Sequence, residues 1–171
     1  MEPKQPWEGR KHRTTLLWLV VGVVSGAALA GAAVWTWMPG MMLNVGESKL
    51  PFDETVRAVE QAIARQGWAH SGTKDLRKSL EKQGRTFGRQ VKIVELCHPD
   101  YAKRVLTDNR ELAAMMPCSI AVYEGDDGKV YVSKMNTALM GKMFGGTVAE
   151  VMGGAVAEDE KAILAGVLRD E

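Results

Sequence analysis

Only two cysteines occur in the 171 residues, Cys97 and Cys118. That excludes a disulfide-stapled miniature fold, so the core has to come from packing. Neither sign of charge is in excess: 22 lysines and arginines stand against 21 aspartates and glutamates. With no basic stripe to neutralise phosphates, nucleic acid is not an expected partner. There is no C-x-x-C pair, hence no common zinc signature. The glycine pairs Gly145-Gly146 and Gly153-Gly154 lack both a leading strand and a P-loop lysine. They are expected as breaks between helices, not as a phosphate cradle.

What is present is one long apolar run. Residues 14–38 carry no ionisable side chain, and a helix needs about 20 residues to cross the hydrocarbon layer. Trp18 lies near one end of the run, and Trp35 and Trp37 near the other, as interfacial anchors do. Pro39-Gly40 is expected to stop the helix. Lys4, Arg10, Lys11 and Arg13 precede the run, and only Lys49 follows it before the next expected helix. The positive-inside rule then gives a cytoplasmic tail over 1–13, a signal-anchor helix over 14–38 and a tether over 39–49. The domain over 50–171 is placed outside the cytoplasm, attached to the cell (inner) membrane in a single pass. The competing reading is a cleaved signal peptide with Ala28-Leu29-Ala30 as its cleavage site. The anchor is preferred because the apolar run continues from Ala32 to Met38. Gly22-x-x-x-Gly26 is a small-residue face that can pair helices, although small residues are common in membrane helices anyway.

Beyond residue 50 the pattern alternates. Asp53 is an expected cap for a helix with Val56, Val59 and Ile63 as its apolar stripe, stopped at Gly67. Trp68 to Ser71 reads as a short strand. A polar helix with Leu76 and Leu80 inward follows from Thr73 or Asp75 to Gly84. Val91 to Cys97 is strongly β-prone. His98-Pro99 opens a helix with Tyr101, Val105 and Leu106 toward the core. Cys118 to Glu124 and Lys129 to Met135 flank Gly125-Asp-Asp-Gly128, a hairpin signal. Asn136 caps a short helix, Thr147-x-x-Glu150 is a capping box, and a last helix covers about Glu158 to Arg169. The fold class is α+β: a single small domain with a mixed or antiparallel sheet packed by helices, preceded by one transmembrane helix.

Val91-Lys-Ile-Val-Glu-Leu-Cys-His-Pro99, Met116-Pro-Cys118, Ile120-Ala-Val-Tyr-Glu124, Lys129-Val-Tyr-Val132 and Asn136, with Phe52-Asp-Glu-Thr-Val56 and Gly67-Trp68 upstream, form a set. Together they resemble the domain of unknown function 302 family over residues 44 to 168. The resemblance implies a small α+β domain, free in some members and membrane-attached in others, with no general activity established. Asparagine is usual where this chain has His98, so the resemblance does not carry a shared site onto that residue.

The residues able to carry chemistry are few. Cys97, His98 and Cys118 are the candidate ligand-binding or redox residues. With Met115 and Met116 they are also ligand types that suit Cu(I) or another soft metal, although methionine is equally the flexible filler of ordinary cores. For the two cysteines, a disulfide, a pair of buried thiols and a functional pair all stay open. Strand geometry decides, because bridged Cα atoms lie about 4.4–6.8 Å apart. A thiol nucleophile would need a base within hydrogen-bond reach, and no catalytic set is assigned. The expected function is a membrane-anchored extracytoplasmic binding or accessory module. The alternatives are a structural subunit of a membrane assembly, homo-oligomeric or with other partners, and a thiol- or soft-metal-dependent redox protein.

Overall fold

A computed structural model describes residues 8–169. Residues 1–7 of the expected cytoplasmic tail, and the last two residues, lie outside the described residues. The chain divides into two units, the first ending at Gly40 and the second beginning at Met41.

The first unit is helix α1, Glu8–Met42, whose last two residues enter the second. Its stretch Trp18–Met38 has a mean hydropathy of 1.9 and is long and apolar enough to cross a membrane, a test that a signal sequence also passes. Pro39-Gly40 does not end the helix as expected. One proline removes a single backbone donor, and the ladder resumes for a further turn. Gly22 and Gly26 both lie on this helix with open space where a Cβ would stand.

The second unit is built on five strands: β1 Leu43–Glu47, β2 Ala69–Asp75, β3 Val91–Cys97, β4 Cys118–Glu124 and β5 Val130–Met135. Their order is β1-β5-β4-β3-β2, and every neighbouring pair is antiparallel. The expected tether over 39–49 is therefore mostly ordered structure. Residues 43–47 pair with β5 from Leu43↔Met135 to Glu47↔Tyr131. The short strand expected at Trp68 to Ser71 is instead the seven-residue β2, with an irregularity between His70 and Gly72. Trp68 itself is a core residue.

Alternation along the strands sends Val94 and Leu96, Ile120 and Val122, and Val132 to one face, where all five are buried. Helices cover that face. α2, Phe52–Arg65, contributes Val56, Val59 and Ile63 as its stripe predicts. Pro51 rather than Asp53 occupies its cap position. Asp53 lies in the first turn and pairs with Lys92 at 2.9 Å, which holds its carboxyl below the usual range. Gly67 follows the end of α2 at φ +78°, the left-handed conformation expected of a helix stop. α3, Leu76–Glu81, is capped by Asp75, which accepts from the Lys78 amide. It buries nothing: Leu76 and Leu80 are each 36% exposed, not inward. Six residues at the rim of a five-stranded sheet offer it no second layer to pack under.

α4, Pro99–Asp108, leads through a 3-10 turn, Arg110–Met115, into β4. The bond between Met116 and Pro117 is cis. α5, Thr137–Phe144, is capped by Asn136 as predicted, and α6 covers Gly146–Glu150. The expected capping box at Thr147 does not form. Gly145 holds the cap position, the Thr147 hydroxyl meets Asp108, and Glu150 pairs with Arg104. The first glycine pair breaks the helices as expected, with both residues at positive φ. The second lies inside a continuous helical run, a π segment Val151–Val156 joined to α7, Ala157–Ala165.

Candidate functional site

β3 ends and β4 begins at the same end of the sheet. Their register pairs Leu96 with Cys118 and Glu95 with Ser119. Cys118 therefore joins Ile120 and Val122 on the core face. Cys97, one residue past Leu96 and opposite Ala69, is assigned by alternation to the other face. Both cysteines are free thiols. Glu95 meets Lys74 at 2.6 Å across the open face.

His98 follows Cys97 and occupies the cap position of α4, with Pro99 opening the helix. Its imidazole stacks on the Tyr101 ring at 4.0 Å between centroids and 22° between planes. The Trp68 ring lies nearly perpendicular to it, with centroids 5.5 Å apart. Trp68 and Tyr101 are themselves fixed from α7: the indole donates to Asp159 Oδ2 at 3.0 Å and the phenol to the same oxygen at 3.2 Å. Burial, then Asp159, push the Tyr101 phenol above its ordinary pKa. The His98 Nδ1 atom is buried and has no hydrogen-bond partner, an omission that costs about 1–3 kcal/mol. The ring borders a small cavity of about 20 Å³, shared with Cys97, Cys118, Met116 and Met152.

A larger cleft of about 600 Å³ opens beside this cavity. Met115, Met116, Met140 and Met152 form its sulfur-rich wall, and Ser119 and Ala121 lie on the sheet side. Lys134 and Glu160 supply charge. Lys134 is at an inward position of β5, paired with Ile120. Its ammonium donates to Glu160 Oε2 at 2.7 Å, and the Thr137 hydroxyl donates to the same oxygen at 2.9 Å. Both charged side chains are nearly inaccessible, at 10% and 3%. A lone carboxylate so deeply buried would be strongly disfavoured; paired and doubly hydrogen-bonded, it is tolerated. The Cys118 thiol is pushed up from 9.0 to about 12, by burial first and then by the charge of Glu160 and by Cys97. A thiol held protonated is the opposite of an activated nucleophile.

A groove of about 810 Å³ also runs between β1 and α7. It exists because the inward positions of β1 are Asn44 and Gly46, which leave the space beneath that strand unfilled apart from Leu168, 3.0 Å from where a Gly46 Cβ would stand. It gathers no sulfur or imidazole.

A family profile matches residues 45–168, which is the second unit almost end to end. The chain belongs to the family described as domain of unknown function DUF302. A DUF302 crystal structure, an uncharacterised conserved protein from Bacillus stearothermophilus, superposes with a TM-score of 0.66. It covers 74% of this chain and 98% of its own, at 20% identity. That is a likeness of fold. No curated protein matches.

Of the residues singled out from the sequence, Cys97, His98, Cys118 and Met116 border one cavity, while Met115 lies on the adjoining cleft. Among the described residues, no three His, Cys, Asp or Glu side chains converge as metal ligands. Sequence reasoning missed Trp68, Tyr101 and Asp159 as a support for His98, and the Lys134–Glu160–Thr137 cluster. The second had a legible signal. In Val130-Tyr-Val-Ser-Lys-Met135, positions 130, 132 and 134 share a face, so a buried lysine follows from period two.

Proposed function

We propose that this DUF302 protein is a single-pass membrane-anchored module that binds a small, largely apolar ligand on the outer side of the cell (inner) membrane. The carrying observation is the cleft at the sheet end. Its volume, about 600 Å³, is in the range of small-molecule sites, which combine apolar walls with a few placed polar groups. Four methionines supply an adaptable wall. Thr137, Lys134 and Glu160 border it as a polar cluster held by its own bonds, and Ser119 brings an exposed hydroxyl to its rim. The attachment and its orientation are supported by the apolar run over 14–38 and by the basic residues before it.

The test uses the full chain in mild detergent, screened by ligand-observed NMR against a library of small amines, carboxylic acids and neutral aromatics. Ser119 is exposed at the edge of the cleft, so Ser119→Trp plugs it without entering the core. Fragments bound by the wild type and released by the plug support the site. Fragments indifferent to the plug, or none bound, overturn it.

A further inference from the structure

The small cavity beside the cleft has room for about one water molecule. A buried water needs two to four polar partners, and this cavity offers few. The unpartnered His98 Nδ1 is a lone buried nitrogen. Its sulfur lining comes from Cys97, Cys118, Met116 and Met152, of which strand alternation turns the Cys97 side chain toward the other face of the sheet. Imidazole, thiol and thioether around a volume this small are the donors of one class of ligand, a soft cation. Zinc takes four N, O or S⁻ ligands of the Cys, His and carboxylate types, and the described residues bring no three of those together. Cu(I) accepts thioether sulfur in their place.

We infer that His98, Cys118 and Met116 form a binding site for Cu(I), with Met152 as a further neighbour. Charge favours this ion over a divalent one. As Cu(I) enters, the Cys118 S–H bond breaks, an S–Cu bond forms and the proton leaves to solvent. The copper keeps its oxidation state. Thiolate and monovalent cation together carry no net charge, so a dry cavity does not oppose them as it would an unpaired ion. His98 donates the Nδ1 lone pair. Its ring is already oriented by the Tyr101 stack and the Trp68 edge, and Asp159 holds both of those aromatic groups. A metal-binding histidine is commonly oriented by a hydrogen bond from its other ring nitrogen; here ring stacking holds the imidazole instead. The inference does not depend on the ligand proposed for the cleft, and either can fail alone.

The experiment titrates the full chain, reduced and anaerobic in detergent, with Cu(I) against the chromophoric chelator bicinchoninate. One Cu(I) per chain is expected. Cys118→Ala and His98→Phe should each weaken it about 10- to 100-fold, Met116→Leu less, and Cys97→Ala should retain it. Cu(I) should raise the melting temperature of the wild type by mass action and leave that of Cys118→Ala unmoved. X-ray absorption on the copper-loaded wild type reads the ligands without any variant, and should show both sulfur and nitrogen scatterers. No bound copper, or equal retention in Cys118→Ala and His98→Phe, overturns the assignment. So does equal dependence on Cys97 and Cys118, which marks a dithiol site, and so does a sulfur-only spectrum.

Discussion

Asp159 accepts from both the Trp68 indole and the Tyr101 phenol through one oxygen, so its removal unties two aromatic rings at once. Asp159→Asn keeps the volume and weakens both charge-assisted bonds. It should lower stability by about 1–3 kcal/mol, measured by urea unfolding. Tyr101 and Cys118 titrate in the same direction. Both are raised in the fold, so each favours folding in its neutral form. Their contribution is complete below the unfolded values and is lost as pH rises through the folded ones. For Cys118 that window runs from near pH 9 to about 12. The denaturation midpoint should therefore fall between those limits, and Cys118→Ala should flatten the slope. At pH 8 the same thiol should react with iodoacetamide far more slowly than glutathione does, read by mass spectrometry, since the thiolate is the reacting form.

Between elements, the strongest constraints are a buried ion pair and a contact of two glycines. Glu160 on α7 ties to Lys134 on β5 and Thr137 on α5. Glu160→Leu leaves Lys134 buried without its partner and should cost about 3–5 kcal/mol. Adding Lys134→Met should return much of that, because a well-packed apolar pair replaces a desolvated ionic one. Gly141 on α5 approaches the π segment so closely that a Cβ there would lie 2.6 Å from the Gly153 Cα. Gly141→Ala should cost about 1–3 kcal/mol through forced backbone shifts. Gly154→Ala, with open space around it, should be neutral or stabilise by about 0.5–1 kcal/mol. Thermal melting of the pair checks the contrast. Sequence could not show this. Two glycine pairs eight residues apart look alike, yet one turns the chain at positive φ and the other admits a neighbouring helix. The apolar strands, the hairpin and the α2 stripe were legible because one face of each had to be buried. α3 was misread because two leucines at helical spacing say nothing about whether a second layer exists to receive them. Cys118, His98 and Met116 were legible as residue types, but their shared cavity depends on the β3–β4 register.

At the scale of the whole chain, a compact second unit from Met41 onward and an apolar helix before it predict separable behaviour. The full chain should sediment with membranes and resist carbonate extraction, whereas residues 41–171 alone should remain in the supernatant with a cooperative melt. Recovery of a shortened chain in the carbonate supernatant would point to a cleaved leader instead. The family match begins at residue 45, so the apolar helix lies outside the matched range. No residue separates α1, which ends at Met42, from β1, which begins at Leu43. Any pull on the N-terminal helix thus enters the fold at its edge strand. The five-residue ladder with β5 opens one pair after another from Leu43↔Met135, and four paired strands remain behind. Under load the domain should yield first at β1, in small steps, while the cavity at the β3–β4 end keeps its walls.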